Sequence, residues 1–520
     1  MKVNPILLEV FKNRFAAISE EMGVTLTRTA FSPNIKERRD LSCAVFDGNG
    51  DMVAQAAHIP VHLGSMPLSV KSAIEKGDFS EGDMIMLNDP FKGGTHLPDI
   101  TLVAPVFCTD SDKPAFYVAN RAHHSDVGGM ASGSMPLSTS LYQEGIIIPP
   151  VKIVAGGEIV KGVMDLILNN VRTPVEREGD FSAQIMANIT GVRRLKELID
   201  KYGLETVDFY AAGLNDYAEA ITRKTIESIP DGTYSFTDYM DGDGVDCENV
   251  PISVVMEVKG DSARLDFTES GNQVSGSVNA VRSITLSAVL YVFRSLIEGD
   301  VPTNAGILRP IEVLTRKGSI LDANFPAAVA GGNVETSQRI VDVVLGALAE
   351  AVPQKIPAAS QGTMNNMTIG GMDERTGKPF AYYETLAGGM GASPNCRGEH
   401  ATHSHMTNTL NTPVEALEYS YPFRVRTYCI RKNTGGTGRM PGGDGLVREI
   451  ELLSDCEITV LSERRVNAPY GLQGGGPGTP GRNLLVRDGK EIEKPGKFHS
   501  PLKKGDIVRM ETPGGGGWGK

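Results

Sequence analysis

The apolar residues near the start of the chain, Ile6, Leu7, Val10, Phe11, Phe15, Ile18 and Met22, fall three and four apart, the spacing of a helix with one face turned to a core. The pattern then changes. Residues 41–46 and 52–55 are short strand-like runs separated by Asp47-Gly48-Asn49-Gly50, which predicts a β-hairpin. Apolar runs at 84–87, 100–107 and 115–119 predict further strands around that helix. Helical spacing returns over 180–202 and 204–229, with Gly203 as the break between them. Beyond it, 233–236, 252–258 and 263–267 read as strands, and 283–297 and 336–352 as buried helices. The last hundred residues are short strands punctuated by glycine at 435–436, 442–443, 474–476 and 514–517.

These elements predict an α+β chain of several subregions. An N-terminal α/β metal-binding region covers 1–200, a central α+β region 201–415, and a glycine-rich β region 416–520. A length of 520 residues exceeds what one ordinary core organises. No fixed-period repeat marks a solenoid or propeller.

Composition removes several function classes. With 40% hydrophobic and 22% charged residues the chain is globular in character, and no run approaches the roughly 20 apolar residues that span a bilayer. The N-terminus lacks the apolar centre and cleavage site of a signal peptide, so a cytoplasmic protein is expected. A formal charge of −12, with short Lys/Arg clusters at 36–39 and 193–194, weighs against nucleic acid. The six cysteines are dispersed without a C-x-x-C pair, as expected of reduced thiols.

Chemistry concentrates in two loops. His96 and Asp99 stand three apart in a stretch with Gly93, Gly94 and Pro98, where an ordinary helix interior is forbidden and a tight turn is allowed. His123 and His124 follow a strand-like run and precede Gly128-Gly129. Two neutral imidazoles and a carboxylate leave an open position on a zinc or manganese ion, the arrangement that acidifies water or polarises a carbonyl. An isolated H-x-x-D is common by chance, and such residues more often cap turns. Concentration strengthens the signal: of nine histidines, five lie between His58 and His124 and three between His400 and His405. His58 and His62 suit either a pocket wall or core packing. His124 and Asp126 suit either support of the ligands or a surface pair. His403 and His405 lie on an extended segment, with roles left open. Asp40, after the basic cluster and before a strand, is a further candidate. The Gly514 to Lys520 run mimics a phosphate loop but offers no Ser/Thr after the lysine and no following helix.

The blocks 37–44, 88–100, 121–129, 144–150, 179–180, 304–306, 331–337, 403–409 and 512–517 resemble, in this order, those of B-type subunits of the hydantoinase/oxoprolinase family. That family includes N-methylhydantoinases, 5-oxoprolinases and acetone or acetophenone carboxylases. The resemblance implies a heterotetramer with an A-type, ATP- and Mg²⁺-binding partner that phosphorylates the substrate, leaving the activated intermediate to a metal centre here. It carries His96, Asp99 and His123 onto metal-ligand positions, and Asp40 onto a further ligand or general base; Asp40, His96 and His123 are the expected catalytic residues. Zinc is the first choice of ion and manganese the alternative. The implied activity is ATP-dependent hydrolysis of a cyclic amide such as a hydantoin, oxoproline or a lactam. The alternatives are ATP-dependent ketone carboxylation and a non-catalytic scaffold.

Overall fold

The computed structural model describes residues 3–108 and 113–520. Its first helix, Pro5–Thr29, is capped by Asn4, whose side chain accepts from the Ile6 amide at 2.9 Å, and starts on a proline that has no amide to leave unpaired. Phe11, Phe15, Met22 and Leu26 on its inner face are fully buried, each worth about 1.5–3 kcal/mol relative to exposure. This helix and the helix Pro174–Tyr202 pack together on one face of an antiparallel sheet. The second helix begins earlier than its periodicity predicts, because Pro174 suits a first helical position.

Seven strands make that sheet: β1 (Leu41–Asp47), β2 (Met52–Gln55), β3 (Met84–Leu87), β4 (Asp99–Val106), β5 (Phe116–His123), β6 (Val151–Ala155) and β7 (Glu158–Ile159). Their order is β2-β1-β5-β4-β3-β6-β7. The hairpin at Asp47 to Gly50 forms as predicted, with Asp47 Oδ1 accepting from the amides of Asn49 and Asp51, each at 2.9 Å. Strand pleat sorts the side chains. Leu41, Cys43, Val45, Ile100, Leu102, Val118 and Ala122 join the large core under the two helices, while Ala44, Phe46, Val103, Tyr117 and Ala119 form a smaller core with the helix Met66–Lys76 on the opposite face.

The central part adds a four-stranded sheet, in which Ser262–Asp266 pairs in parallel with Ile311–Leu314 and antiparallel with Glu248–Lys259, followed by Gly232–Gly242. The helix Ser337–Ala351 lies against it, buried on every side from Ser337 to Ala349, in keeping with the buried helix expected over 336–352. Towards the C-terminus two antiparallel sheets of four and five strands enclose a second core containing Ile369, Tyr382, Phe423, Ile450 and Val508. The architecture is mixed α+β with several separate sheets and a β-rich end. No helix among the described residues is long and apolar enough to cross a membrane.

The glycine-rich segments are not open loops. Gly389–Gly391, Gly435–Gly436, Gly442–Gly443, Gly475–Gly478 and Gly514–Gly517 lie side by side as extended backbone. Gly515 donates to the Gly443 carbonyl at 2.9 Å and Gly517 to Gly476 at 2.9 Å. A Cβ on Gly515 would stand 2.1 Å from the Met390 carbonyl oxygen, and one on Gly443 1.9 Å from that of Glu399. The amides of Gly514 to Gly517 are all bonded within the protein, so this run cannot cradle a phosphate.

Candidate metal centre

The loop before β4 is stapled from both sides. Asn88 donates to the carbonyls of Leu97 at 2.8 Å and Ile146 at 3.0 Å, and accepts from the Ile148 amide at 2.7 Å. Gly93 takes φ +90°, and a Cβ there would stand 2.4 Å from the backbone of Leu68, so the turn that leads to His96 requires glycine. Asp99 opens β4 and pairs directly with His123, the last residue of β5. Directly opposed residues point to the same face, and that pairing brings carboxylate and imidazole together.

His96 Nε2 lies 3.1 Å from Asp99 Oδ1, His123 Nδ1 lies 3.2 Å from the same oxygen, and the two ring nitrogens are 3.2 Å apart. All three residues are buried, and they form a group able to offer one ligand atom each to a single ion. Bonds of about 2.0–2.1 Å in a tetrahedral zinc site put ligand atoms roughly 3.3–3.4 Å apart. The observed triangle is within a few tenths of an ångström of that edge, so the donor set fits such an ion.

Electrostatics agree. Burial pushes the Asp99 carboxyl up, but the charges of His96 and His62 and hydrogen bonds from His123 and His62 overcome it and hold Asp99 well below the usual range. Burial lowers His123 against the pull of Asp99, favouring the neutral imidazole that binds metals. The His123 ring also stacks on Tyr383, centroids 4.3 Å apart and planes within 16°.

Asp40 lies outside this triangle but close to it. Its backbone carbonyl accepts from the His123 amide at 3.0 Å, and its side chain helps line a cavity of about 20 Å³ that Asp99 and His123 also border, room for roughly one water.

Asp99 Oδ2 is held by Thr95 at 2.5 Å, His62 at 3.2 Å and Asn333 at 3.4 Å, so that His62, a candidate for a pocket wall, stands beside the triangle, while Thr95 and Asn333 were not singled out from the sequence. His62 is oriented in turn by Ser42, 2.9 Å from its other nitrogen. Ser42 was legible in principle, because it shares the strand face of Asp40. Asn333 was not, since it lies on a π-helical turn, Gly332–Thr336, far along the chain; its buried Oδ1 has no partner and the residue lines the cavity.

The remaining candidates separate. His58 accepts from the Cys43 amide at 3.2 Å, packs against Gly23, and is lowered to about 4 by burial, so it holds the hairpin to the first helix. His124 faces the other side of the sheet, 2.9 Å from Gln184, and Asp126 pairs with Arg172 at 2.9 Å. Burial lowers His403 to about 4. His405 approaches Tyr291 at 3.4 Å and Asp342 at 3.7 Å.

The family description Hydantoinase B/oxoprolinase matches residues 4–520. The 5-oxoprolinase of Dictyostelium discoideum is 41% identical over 530 residues, covering 100% of this chain and 40% of the relative. A putative D-/L-hydantoinase B-type component of Pseudomonas sp. is 30% identical over 543 residues, covering 100% of this chain and 90% of the relative. Among solved structures, an ATP-dependent caprolactamase from Pseudomonas jessenii shares the fold with a TM-score of 0.92 and 29% identity, covering 100% of this chain and 92% of that one. The chain therefore spans about two-fifths of the oxoprolinase and nine-tenths of the hydantoinase component.

Proposed function

Because the chain belongs to the hydantoinase B/oxoprolinase family, we propose that it is the B-type component of an ATP-dependent hydrolase of cyclic amides, working with an A-type partner that phosphorylates the substrate. The observation that carries this reading is the buried triangle of His96, Asp99 and His123 beside a one-water cavity. The match to nearly the whole length of a relative named as one component of a hydantoinase supports the division of labour, as does the internal bonding of the glycine run at 514–517.

A divalent ion held by the triangle, zinc first and manganese second, supplies Lewis acidity that lowers the pKa of a water and polarises a carbon–oxygen bond. The protein's own residues do the rest. Thr95, His62 and Asn333 fix the Asp99 carboxylate, and Tyr383 fixes the His123 ring. Asp40 borders the cavity and accepts a proton from the water there. Phosphorylation of the amide oxygen by the partner makes the ring carbon a strong electrophile; water adds to that carbon, the ring C–N bond breaks as the nitrogen takes up a proton, and a second water hydrolyses the acyl phosphate left behind to carboxylate and phosphate. The cavity has room for a water but not for a cyclic amide, so substrate enters only when its wall moves.

The test is metal analysis of the wild type, His96→Ala and His123→Ala, together with ATP consumption in the presence of the A-type partner against hydantoins, oxoproline, lactams and ketones. Both variants should lose the ion and ring opening while remaining folded. Full metal content and activity in both would overturn the assignment, and bicarbonate-dependent ketone consumption would replace hydrolysis by carboxylation.

A further inference from the structure

The wall that closes the metal-site cavity is one layer of backbone thick along three segments. Thr407 and Thr409 are buried and border the cavity, while Asn408 and Leu410 are exposed and border a hollow of about 500 Å³ on the outside. Asp40 borders the cavity and Leu41 the hollow; Ile59 borders the cavity and His58 the hollow. The inner and outer spaces therefore share three strips of chain. A volume of that order is usual for a small-molecule site, whereas the cavity has room for a single water.

The charge of the hollow runs against that of the chain, which is formally −12. Arg28 and Arg39 both border it, both are exposed, and neither guanidinium has a hydrogen-bond or ion-pair partner among the described residues. Arg39 takes φ +56°, a left-handed conformation unfavourable for a residue with a Cβ. That turn separates it from its neighbours: Arg38 is fully buried, with Nη2 donating to Thr385 Oγ1 on the cavity wall at 2.8 Å, whereas Arg39 reaches solvent. Glu20, the one carboxylate bordering the hollow among the described residues, accepts from the Ala57 amide at 3.2 Å. Burial keeps His58 neutral, so two arginines against one glutamate leave a net charge of +1. His58 Nδ1 accepts from the Cys43 amide at 3.2 Å, and a backbone amide only donates, so the ring proton is on Nε2, beside Gly23, which has no Cβ to cover it. A neighbouring hollow of about 390 Å³ lacks this character, because its Lys12 is paired with Asp300 at 2.8 Å and its Arg294 donates to the Val301 carbonyl at 2.8 Å. Val24 and Leu410, each about half exposed, give the larger hollow an apolar border as well.

We infer that this hollow is the receiving site for the phosphorylated substrate: Arg28 and Arg39 take the phosphoryl oxygens, His58 and Asn408 add neutral hydrogen bonds, and the ring lies on Val24 and Leu410 until the 407–410 strip yields to the metal-site cavity. The inference rests on the proposed division of labour, in which the A-type partner makes a phosphate ester of the amide oxygen, and adds where this chain accepts that ester. Two guanidinium groups suit a phosphate dianion, whose oxygens they bind by charge-assisted hydrogen bonds. An ester left in solvent is attacked by water at phosphorus; the P–O bond breaks, the amide is restored and phosphate is released, so the ATP is used without ring opening. A holding site beside the metal centre prevents that loss.

The experiment titrates the full chain with phenyl phosphate, a stable phosphate monoester that carries a ring, followed by phosphorus NMR and calorimetry, with phenol as the ring alone. Arg28→Gln and Arg39→Gln should each bind phenyl phosphate roughly tenfold or more weakly, the loss of a hydrogen bond to a charged group, with ion content unchanged. Glu20→Gln should bind it more tightly, and phenol should bind far more weakly than the ester. His96→Ala, expected to lose the ion, should keep wild-type affinity, which separates the hollow from anion binding at the metal. With the A-type partner and a turned-over substrate, Arg39→Gln should raise the ATP consumed per ring opened severalfold, a ratio that a residue serving stability alone does not move. No binding by the wild type, wild-type affinity in both arginine variants, or loss of binding along with the ion in His96→Ala overturns the receiving site and leaves the metal centre standing. Full ion content in His96→Ala overturns the metal centre instead, and the arginine variants still decide the hollow.

Discussion

Replacing His62 by alanine removes one of three donors to Asp99 Oδ2 and should weaken ion binding without abolishing it. His62 Nδ1 stands 2.9 Å from the Ser42 hydroxyl, and because a carboxylate only accepts, His62 Nε2 donates to Asp99 at 3.2 Å. Both side chains are 1% exposed, so water does not replace the lost bond. A hydrogen bond to a charged group contributes about 1.5–3 kcal/mol. Asp99 Oδ2 keeps Thr95 at 2.5 Å and Asn333 at 3.4 Å. The loss therefore falls at the lower end, about 1.5–2 kcal/mol, or roughly 10–30-fold in affinity, the range usual for groups that orient a metal ligand. Competition with a chromophoric chelator measures the zinc dissociation constant directly, with His62→Gln as a variant that retains a donor. Equal affinities for the wild type and His62→Ala would show that Asp99 is fixed without this contact, and the reasoning would fail.

Burial pushes Glu335 up to about 8 from the usual 4.5, against hydrogen bonds from Thr363 and the Met364 amide that favour the charged form. Its folded-state pKa being raised, the folded chain holds a proton that the unfolded chain releases; the resulting stability is complete below about pH 4.5 and is lost as pH rises through about 8. Glu335→Gln should therefore raise the melting temperature little at pH 5 and by a few degrees at pH 8, for a difference on the order of 3 kcal/mol, and a pH-independent gap between variant and wild type would contradict this. Gly515→Ala should cost several kcal/mol and reduce soluble yield, since its Cβ meets the Met390 carbonyl oxygen at 2.1 Å, whereas Gly162→Ala, in an open helical position, should stabilise by about 0.5–1 kcal/mol in the same thermal assay.

Local pattern made β1 to β5 of the first sheet legible, because apolar runs, a hairpin turn and glycine-marked loops are written in neighbouring residues, whereas the short β6 and β7 were not predicted. The same locality exposed His96 and Asp99 as a pair. Strand parity explains why adjacent His123 and His124 part company: one points to the cavity and the other to Gln184 on the helix side. The contacts that complete the site lie beyond any window of periodicity. Asn333 reaches Asp99 across 234 positions and Thr385 meets Arg38 across 347. Such contacts are made by the packing of the central and C-terminal parts onto the first sheet, and a short polar side chain on a loop gives no sign of it in advance.

The direct opposition of Asp99 and His123 also bears on how a cell treats a badly folded copy of this chain. If β5 slid by one position along β4, the pleat would turn Phe116, Val118 and Ala122 away from the helices that cover them at the same stroke as it withdrew His123 from Asp99. An inactive molecule of that kind exposes grease, and chaperones and proteases select by exposed grease. Surveillance with no means of assaying chemistry would thus remove the copies that lack the chemistry.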